Sequence, residues 1–375
     1  MNVIFTCGGT GGHINPAIAV ADILKPRHPD CNILFIGAKK HIKKQLVPRA
    51  GYRLECLPGS GLSRKLNLAG IKKNVNAVKS VLSAVNQCKQ IIRDFKPDVI
   101  IGTGGYASFP ALYAGSRMGI PTCVHESNAV PGLTTKLAAN KASRVLVCFE
   151  ESKSHYKHSE RVQVVGMPVR QEFWTLTRQQ ARQALGIGVW EKLVVSTFGS
   201  QGAKVMNEMT AQLFALEQQA GFPFRHIHAT GKFGASWMPQ AVQEQGIDLK
   251  NSPAIDMREY IYDMPTVLAA ADVVLGRSGS GTCNEIAATG TPCILIPSPN
   301  VTNNHQEKNA RILEGRGAAV LIPEAACTAQ GIFEKIMALL DDQPRRMQMG
   351  RTLRSMGVAD SAQRICDILE ELMNR

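Results

Sequence analysis

The segment KPDVIIGTGGYASFPALYAGSRMGIPTCVHE (residues 96–126) returns later in the chain as AADVVLGRSGSGTCNEIAATGTPCILIP (residues 270–297). Each copy runs Asp-Val, a short apolar strand, a glycine-rich turn, a helix of small residues, Gly-x-Pro and a second apolar strand. The strands are continuous apolar runs, the pattern of strands buried on both faces of a parallel sheet. Outward from these copies the same unit recurs. Val3-Ile4-Phe5-Thr6-Cys7 runs into CGGTGGHINP (7–16), and LVVSTFGSQGA (193–203) is again a strand followed by glycines and a helix. Asn15 reads as an N-cap and Pro16 as the first residue of the helix carrying Ala17, Ala19, Val20, Ile23 and Leu24. Ser200 and Gln201 read as a helix start.

Strands alternating with helices in both halves predict an α/β protein of two doubly wound parallel-sheet domains. Ligands of such sheets sit beyond the carboxyl ends of the strands. The turns Gly8–Gly12, Gly102–Gly105, Gly199–Gly202 and Gly276–Gly281 are expected there, lining a cleft between two domains. The boundary is expected near VVGMPVRQEF (164–173), where Pro168 interrupts regular structure. Charged amphipathic helices follow from about residue 340. A bare glycine turn before a helix lets backbone N–H groups approach a phosphate, or an oxygen that gains charge during a reaction. It serves equally as a tight turn with a packing histidine.

With 375 residues the chain has room for two domains. The ten cysteines form no C-x-x-C pair and read as reduced thiols in a cytoplasmic protein. No apolar run is long enough to span a bilayer, and the N-terminus lacks a signal-peptide pattern. The net charge of +13 is concentrated. Between Ala38 and Lys96 stand fourteen Lys or Arg and only two acids, Glu55 and Asp94, so the rest of the chain is nearly neutral. Leucine and isoleucine interleave the basic residues. Such a face suits an anionic membrane or a polyanion. Nucleic acid is disfavoured, because Tyr52 and Phe95 are the segment's only candidate stacking aromatics and no recognition motif is present. A nicotinamide dehydrogenase is also disfavoured. Reading G-x-G-x-x-G from Gly9 puts Ile14 at the third glycine, and the second strand, 33–36, ends in Gly-Ala-Lys-Lys with no acid for a ribose.

GGTGGH-x-x-P-A, HESNAVPG, G-x-PVR, GSQGA, RSGS-x-T-x-x-E and HQ-x-x-NA occur in this order between about residues 3 and 320. Together they closely resemble the MurG family of bacterial glycosyltransferases. The resemblance implies the GT-B architecture, two Rossmann-like domains facing an interdomain cleft. It implies inverting, metal-independent transfer of N-acetylglucosamine from UDP-N-acetylglucosamine to lipid-linked N-acetylmuramyl-pentapeptide in peptidoglycan synthesis, with no cofactor and with the enzyme peripheral on the cytoplasmic face of the cell membrane. Residues 1–165 would then form the acceptor and membrane domain and 166–345 the UDP-sugar domain. Helices in 346–375 would pack back toward the first.

By the same resemblance His13 is the general base. Thr10, Gly11, Gly12 and Asn128 contact the donor sugar or nearby oxygens. His125, Glu126 and Tyr106 lie on the acceptor side. Ser200 and Gln201 hold the pyrophosphate and Arg170 adds a cation. The backbone of Ile261 reads the uracil. Ser280, Gly281 and Thr282 face phosphates and ribose, Glu285 accepts from the ribose hydroxyls, and Gln306 contacts the sugar. Arg64, Lys65, Lys72 and Lys73 would face the membrane, with Leu62, Leu66, Leu68 and Ile71 dipping into it. Phe198 and Met167 depart from the family's usual glycine and asparagine. Another GT-B transferase, a UDP-sugar epimerase, and a non-catalytic membrane binder are the competing readings.

Overall fold

The computed structural model describes residues 1–8, 11–38, 43–57, 68–105 and 107–374, with residues 38, 43–45, 68–79 and 302 as backbone only. The chain divides into two compact units, Met1–Val169 with Asp360–Arg375, and Arg170–Ala359.

The first unit holds strands β1 Asn2–Cys7, β2 Asn32–Ala38, β3 Arg53–Leu57, β4 Val99–Gly102, β5 Thr122–Glu126, β6 Arg144–Val147 and β7 Val162–Val164. Its helices are α1 Gly11–Arg27, α2 Lys43–Arg49, α3 Leu68–Phe95, α4 Ser108–Arg117 and α5 Leu133–Ala139. The strands form one parallel sheet in the order β3-β2-β1-β4-β5-β6-β7. Alternate residues of β1 feed opposite faces, as a two-residue period requires. Val3, Phe5 and Cys7 join Ile14, Ala17, Val20 and Leu24 of α1 on one face, while Ile4 joins Ala84, Val85, Cys88 and Ile92 of α3 on the other.

The second unit holds β8 Leu193–Thr197, β9 Arg225–Ala229, β10 Ile255–Arg258, β11 Val273–Gly276, β12 Cys293–Leu295 and β13 Val320–Leu321, parallel in the order β10-β9-β8-β11-β12-β13. Its helices are α6 Glu172–Thr175, α7 Arg178–Ala184, α8 Lys204–Gln219, α9 Met238–Glu244, α10 Met264–Ala270, α11 Ser280–Thr289, α12 His305–Gly315, α13 Ala329–Asp341 and α14 Gln343–Met356. The last helix, α15 Ser361–Met373, belongs to the first unit. There Ile365, Cys366, Leu369 and Leu372 share the core of α1.

The division falls four residues beyond the expected 165/166, because the Val165 and Gly166 N–H groups still donate to the Val147 carbonyl at 3.0 and 3.3 Å. Helix α14 stays with the second unit. A Cβ on Gly350 would stand 2.6 Å from the Gly290 carbonyl oxygen, and Arg354 Nη2 donates to Thr289 O at 3.2 Å.

In each sheet the strand order reverses direction once, between β1 and β4 and between β8 and β11. Such a switch point opens a crevice at the carboxyl ends of its two strands. The four glycine turns follow these four strands. Two helix starts differ from expectation. Helix α1 begins at Gly11, so Pro16 lies inside it. Without an N–H, Pro16 leaves the Gly12 carbonyl lacking its usual partner in the helix. Helix α8 begins at Lys204, because Gly202 takes φ +79 and ends the turn in a left-handed residue.

Candidate active site

In the first unit the switch point is built around His13. The Gly8 N–H donates to Gly104 O at 2.6 Å, the Thr103 N–H to Thr6 O at 2.9 Å, and the Thr103 hydroxyl to the His13 carbonyl at 2.6 Å. The turns after β1 and β4 are therefore joined. The imidazole rests against glycine backbone. A Cβ on Gly8 would stand 2.7 Å from His13 Cδ2, and one on Gly104 2.9 Å from His13 Nδ1. Gly104 and Gly105 also take φ +98 and +81, so glycine is required for conformation and for room. His13 is partly exposed in the first turn of α1, beside exposed Gly12 and directly after Gly11, where a helix directs unsatisfied N–H groups outward. Thr10 and Tyr106 lie outside the described residues.

His125 and Glu126 end β5 and are both buried. His125 Nε2 donates to Gly166 O at 2.9 Å, and burial holds the imidazole pKa below its ordinary value, with the His13 ring acting in the same direction. Glu126 Oε1 accepts from the Asn128 backbone N–H at 3.0 Å and from Asn128 Nδ2 at 2.9 Å. Its Oε2 accepts from the Gly132 N–H at 3.3 Å. The carboxylate thus folds the 127–132 loop and orients the Asn128 amide. The two neighbours, expected together on the acceptor side, go to different partners within the protein.

In the second unit Ser200 and Gln201 are exposed in the turn after β8, ahead of the helix and not on it. Their carbonyls accept from the Lys232 and Phe233 N–H groups at 3.3 and 3.0 Å, so the turn after β9 holds them. Gly202 and Gly231 pass so closely that a Cβ on either would overlap the other's loop. Ser280 opens α11 and is buried, while Gly281 and Thr282 in the same first turn are half-buried. The Ser278 hydroxyl donates to Gln306 O at 2.8 Å, and Asn309 Nδ2 to Ser278 O at 3.1 Å. Gln306 Oε1 accepts from the Ser298 N–H at 2.8 Å, which leaves Nε2 as the donating end of that side chain.

Glu285 lies farther along α11. Burial raises its carboxyl pKa to about 7, against the opposing pull of Arg170. The Arg170 guanidinium is exposed, stands 5.4 Å from the Phe173 ring centre, and has no ion pair among the described residues. Its charge also acts on Tyr260. Ile261 is buried, and its flanking Tyr260 and Tyr262 rings are exposed and meet edge to face at 4.8 Å.

The structure adds three residues that the sequence reading passed over. Thr103 ties the histidine turn from 90 positions away. Tyr260 lies within electrostatic reach of Glu285 and Arg170. Arg277 is buried, donating to Ile296 O at 3.0 Å and pairing with Glu324, so its charge is satisfied inside the protein. Thr103 and Arg277 sat in view within GTGG and RSGS, but the partners that define them are distant in sequence. Arg64 and Lys65, with Leu62 and Leu66, lie outside the described residues. Lys72, Lys73, Leu68 and Ile71 fall on the backbone-only part of α3.

Comparison with known proteins covers both units. The Glycosyltransferase family 28 N-terminal domain matches residues 3–147, and the Glycosyltransferase family 28 C-terminal domain matches 193–365. A protein of Acetivibrio thermocellus named UDP-N-acetylglucosamine--N-acetylmuramyl-(pentapeptide) pyrophosphoryl-undecaprenol N-acetylglucosamine transferase is 40% identical over 373 residues, covering 100% of this chain and 98% of the relative. One of the same name from Desulforudis audaxviator is 38% identical over 379 residues, covering 100% and 99%. The crystal structure of Acinetobacter baumannii MurG matches with a TM-score of 0.76 at 22% identity, covering 99% of both chains.

Proposed function

The chain belongs to glycosyltransferase family 28, and from that premise we propose that it transfers N-acetylglucosamine from UDP-N-acetylglucosamine to the 4-hydroxyl of N-acetylmuramic acid in undecaprenyl-pyrophosphoryl-N-acetylmuramyl-pentapeptide. The observation that carries the reading is His13 held against Gly8 and Gly104 at the switch point of the first sheet. A titratable ring at a ligand crevice, with its orientation set by backbone, is what a general base requires.

The acceptor hydroxyl attacks the anomeric carbon from the face opposite the leaving group and passes its proton to the His13 imidazole. The bond from that carbon to the UDP oxygen breaks, and the electron pair leaves with UDP. The transition state has oxocarbenium character. The first-turn N–H groups of α11, the Ser200–Gln201 turn and the Arg170 guanidinium supply positive potential for the departing diphosphate. Glu285 receives the ribose hydroxyls, the Ile261 backbone reads the uracil, and Asn128 and Gln306 present amides to the sugar.

The lipid-linked acceptor requires work at a bilayer surface. No helix among the described residues is long and apolar enough to cross a membrane. Leu133 and Leu137 of α5 are 62% and 49% exposed just after the Asn128 loop, and the neighbouring Tyr113 lies under the Lys141 ammonium at 5.7 Å. Lys136 and exposed Arg117 stand on the same pair of helices. Apolar side chains rimmed by cations suit the headgroup boundary of an anionic membrane on its cytoplasmic side.

The test is UDP release from UDP-N-acetylglucosamine, with and without the lipid-linked acceptor, for wild type and His13→Ala. The expected result is acceptor-dependent release that falls about 10²–10⁴-fold in the variant, the range for general-base catalysis. Release that ignores the acceptor would replace this reading with a hydrolysing or epimerising enzyme.

A further inference from the structure

A buried polar chain runs through the second unit, and no step of the proposed transfer uses it. Strands β8 and β9 place Ser196, His226 and His228 under α8, which contributes Glu217. Ser196 Oγ lies 2.7 Å from His226 Nε2 and 2.6 Å from His228 Nδ1, and His226 Nδ1 lies 2.7 Å from Glu217 Oε1. All four residues are 0% exposed.

With an ionised carboxylate and uncharged rings, the chain has one consistent direction. A carboxylate only accepts, so His226 Nδ1–H donates to Glu217. His226 Nε2 then accepts the Ser196 hydroxyl proton, and Ser196 Oγ accepts from His228 Nδ1–H. This leaves His228 Nε2 and Glu217 Oε2 without hydrogen-bond partners among the described residues. Burial holds the His228 pKa well below its ordinary value, as the uncharged arrangement requires.

Serine, histidine and glutamate together have the residue types of a hydrolytic triad. None of them reaches solvent, so no substrate can meet them. A buried polar chain that is only partly satisfied is a poor source of stability compared with apolar packing. Its position gives it another use. Ser196 pairs with His228 across the β8–β9 ladder, two residues before Phe198 on one strand and two before Thr230 on the other. Phe198 is buried with its ring centre 6.1 Å from that of His228, and the Arg277 guanidinium stands 5.9 Å from the same ring. Beyond Phe198 comes the Ser200–Gln201 turn, bonded to the turn that follows Thr230.

We infer that Glu217, His226, Ser196 and His228 are positioning residues for the diphosphate of the donor. They set the Phe198 ring, and the ring sets the Ser200–Gln201 backbone. This rests on the reading that the turn after β8 takes the diphosphate of a nucleotide sugar.

The experiment measures donor kinetics, UDP binding by calorimetry and thermal unfolding on the full chain. The variants are Ser196→Ala, His228→Phe and His228→Asn, whose amide can donate where Nδ1–H does. Ser196→Ala and His228→Phe are expected to raise KM for UDP-N-acetylglucosamine about tenfold, the size of a lost buried hydrogen bond, and His228→Asn to restore it. Across the set kcat is expected to stay within about twofold. An unchanged KM in both Ser196→Ala and His228→Phe, with wild type binding UDP, overturns the inference alone. So does a loss of kcat matching the rise in KM, or no rescue by His228→Asn. Wild type that fails to bind UDP overturns the donor reading and this inference together.

Discussion

Glu285 is a carboxylic acid whose usefulness depends on a proton. Its pKa is raised to about 7 from an ordinary 4.5 because burial penalises the ionised form. The sign of the linkage follows. The group favours the folded, unliganded protein fully below about 4.5, and that contribution is lost as pH rises through about 7. In the proposed ribose site donor binding runs the other way, since only the ionised carboxylate can accept from two ribose hydroxyls with both oxygens. UDP-N-acetylglucosamine has no group of its own titrating in this range. Its affinity is therefore expected to rise with pH through about 7, and Glu285→Gln to abolish the dependence. Calorimetry across neutral pH checks this, and an equal slope in the variant would remove Glu285 from the ribose site. The acid was legible from its place after RSGSGTCN. Its pKa was not, because the burial that raises it comes from packing that only the completed fold makes.

At the scale of elements, the site is made by turns that fit only without side chains. A Cβ on Gly105 would overlap the Gly8 Cα and stand 3.0 Å from the Gly8 N, at a φ of +81 that L side chains rarely adopt. Gly105→Ala should displace the β1 and β4 turns together and carry His13 with them. Misplacing a catalytic group by about 1 Å costs about 10²-fold, and that is the expected loss of transferase rate. UDP binding should persist, because the turn belongs to the other unit. Kinetics and UDP titration on the same preparation decide it; full activity would mean that the turn tolerates the methyl. The glycine turns were readable as turns, but their helix starts were not. Asn15-Pro16 carries every local sign of a helix beginning, yet α1 starts at Gly11, within a turn that Thr103 and Gly104 brace from another strand. Local capping preference is worth about 1 kcal/mol, and contacts made across the sheet outweigh it.

For the molecule as a whole, the question is how an enzyme with no spanning helix among its described residues meets a lipid-borne acceptor. The exposed Leu133 and Leu137, with Lys136 and Lys141 beside them, are proposed as part of the answer, and the basic residues 64, 65, 72 and 73 as another. Each cation near an anionic surface contributes about 1 kcal/mol. Leu133→Asp with Leu137→Asp should therefore weaken sedimentation with anionic vesicles while leaving UDP binding intact. Neutralising the four basic residues should narrow the difference between anionic and zwitterionic vesicles. Unchanged vesicle binding in both variants would place the membrane contact elsewhere.

The local pattern of residues was enough for the parallel sheets and the order of strand, glycine turn and helix. It also determined the family, whose six motifs lie in one order along the chain. These are properties of neighbours, and side-chain periodicity and backbone freedom act over a few residues. Tertiary structure alone decided which turns meet, where the last helix packs, which carboxyl is raised and which arginine is consumed internally. It alone placed a serine, two histidines and a glutamate in line behind the turn that follows β8. Those outcomes depend on residues 9 to 346 positions apart coming within hydrogen-bonding or packing reach, and only the completed fold brings them there.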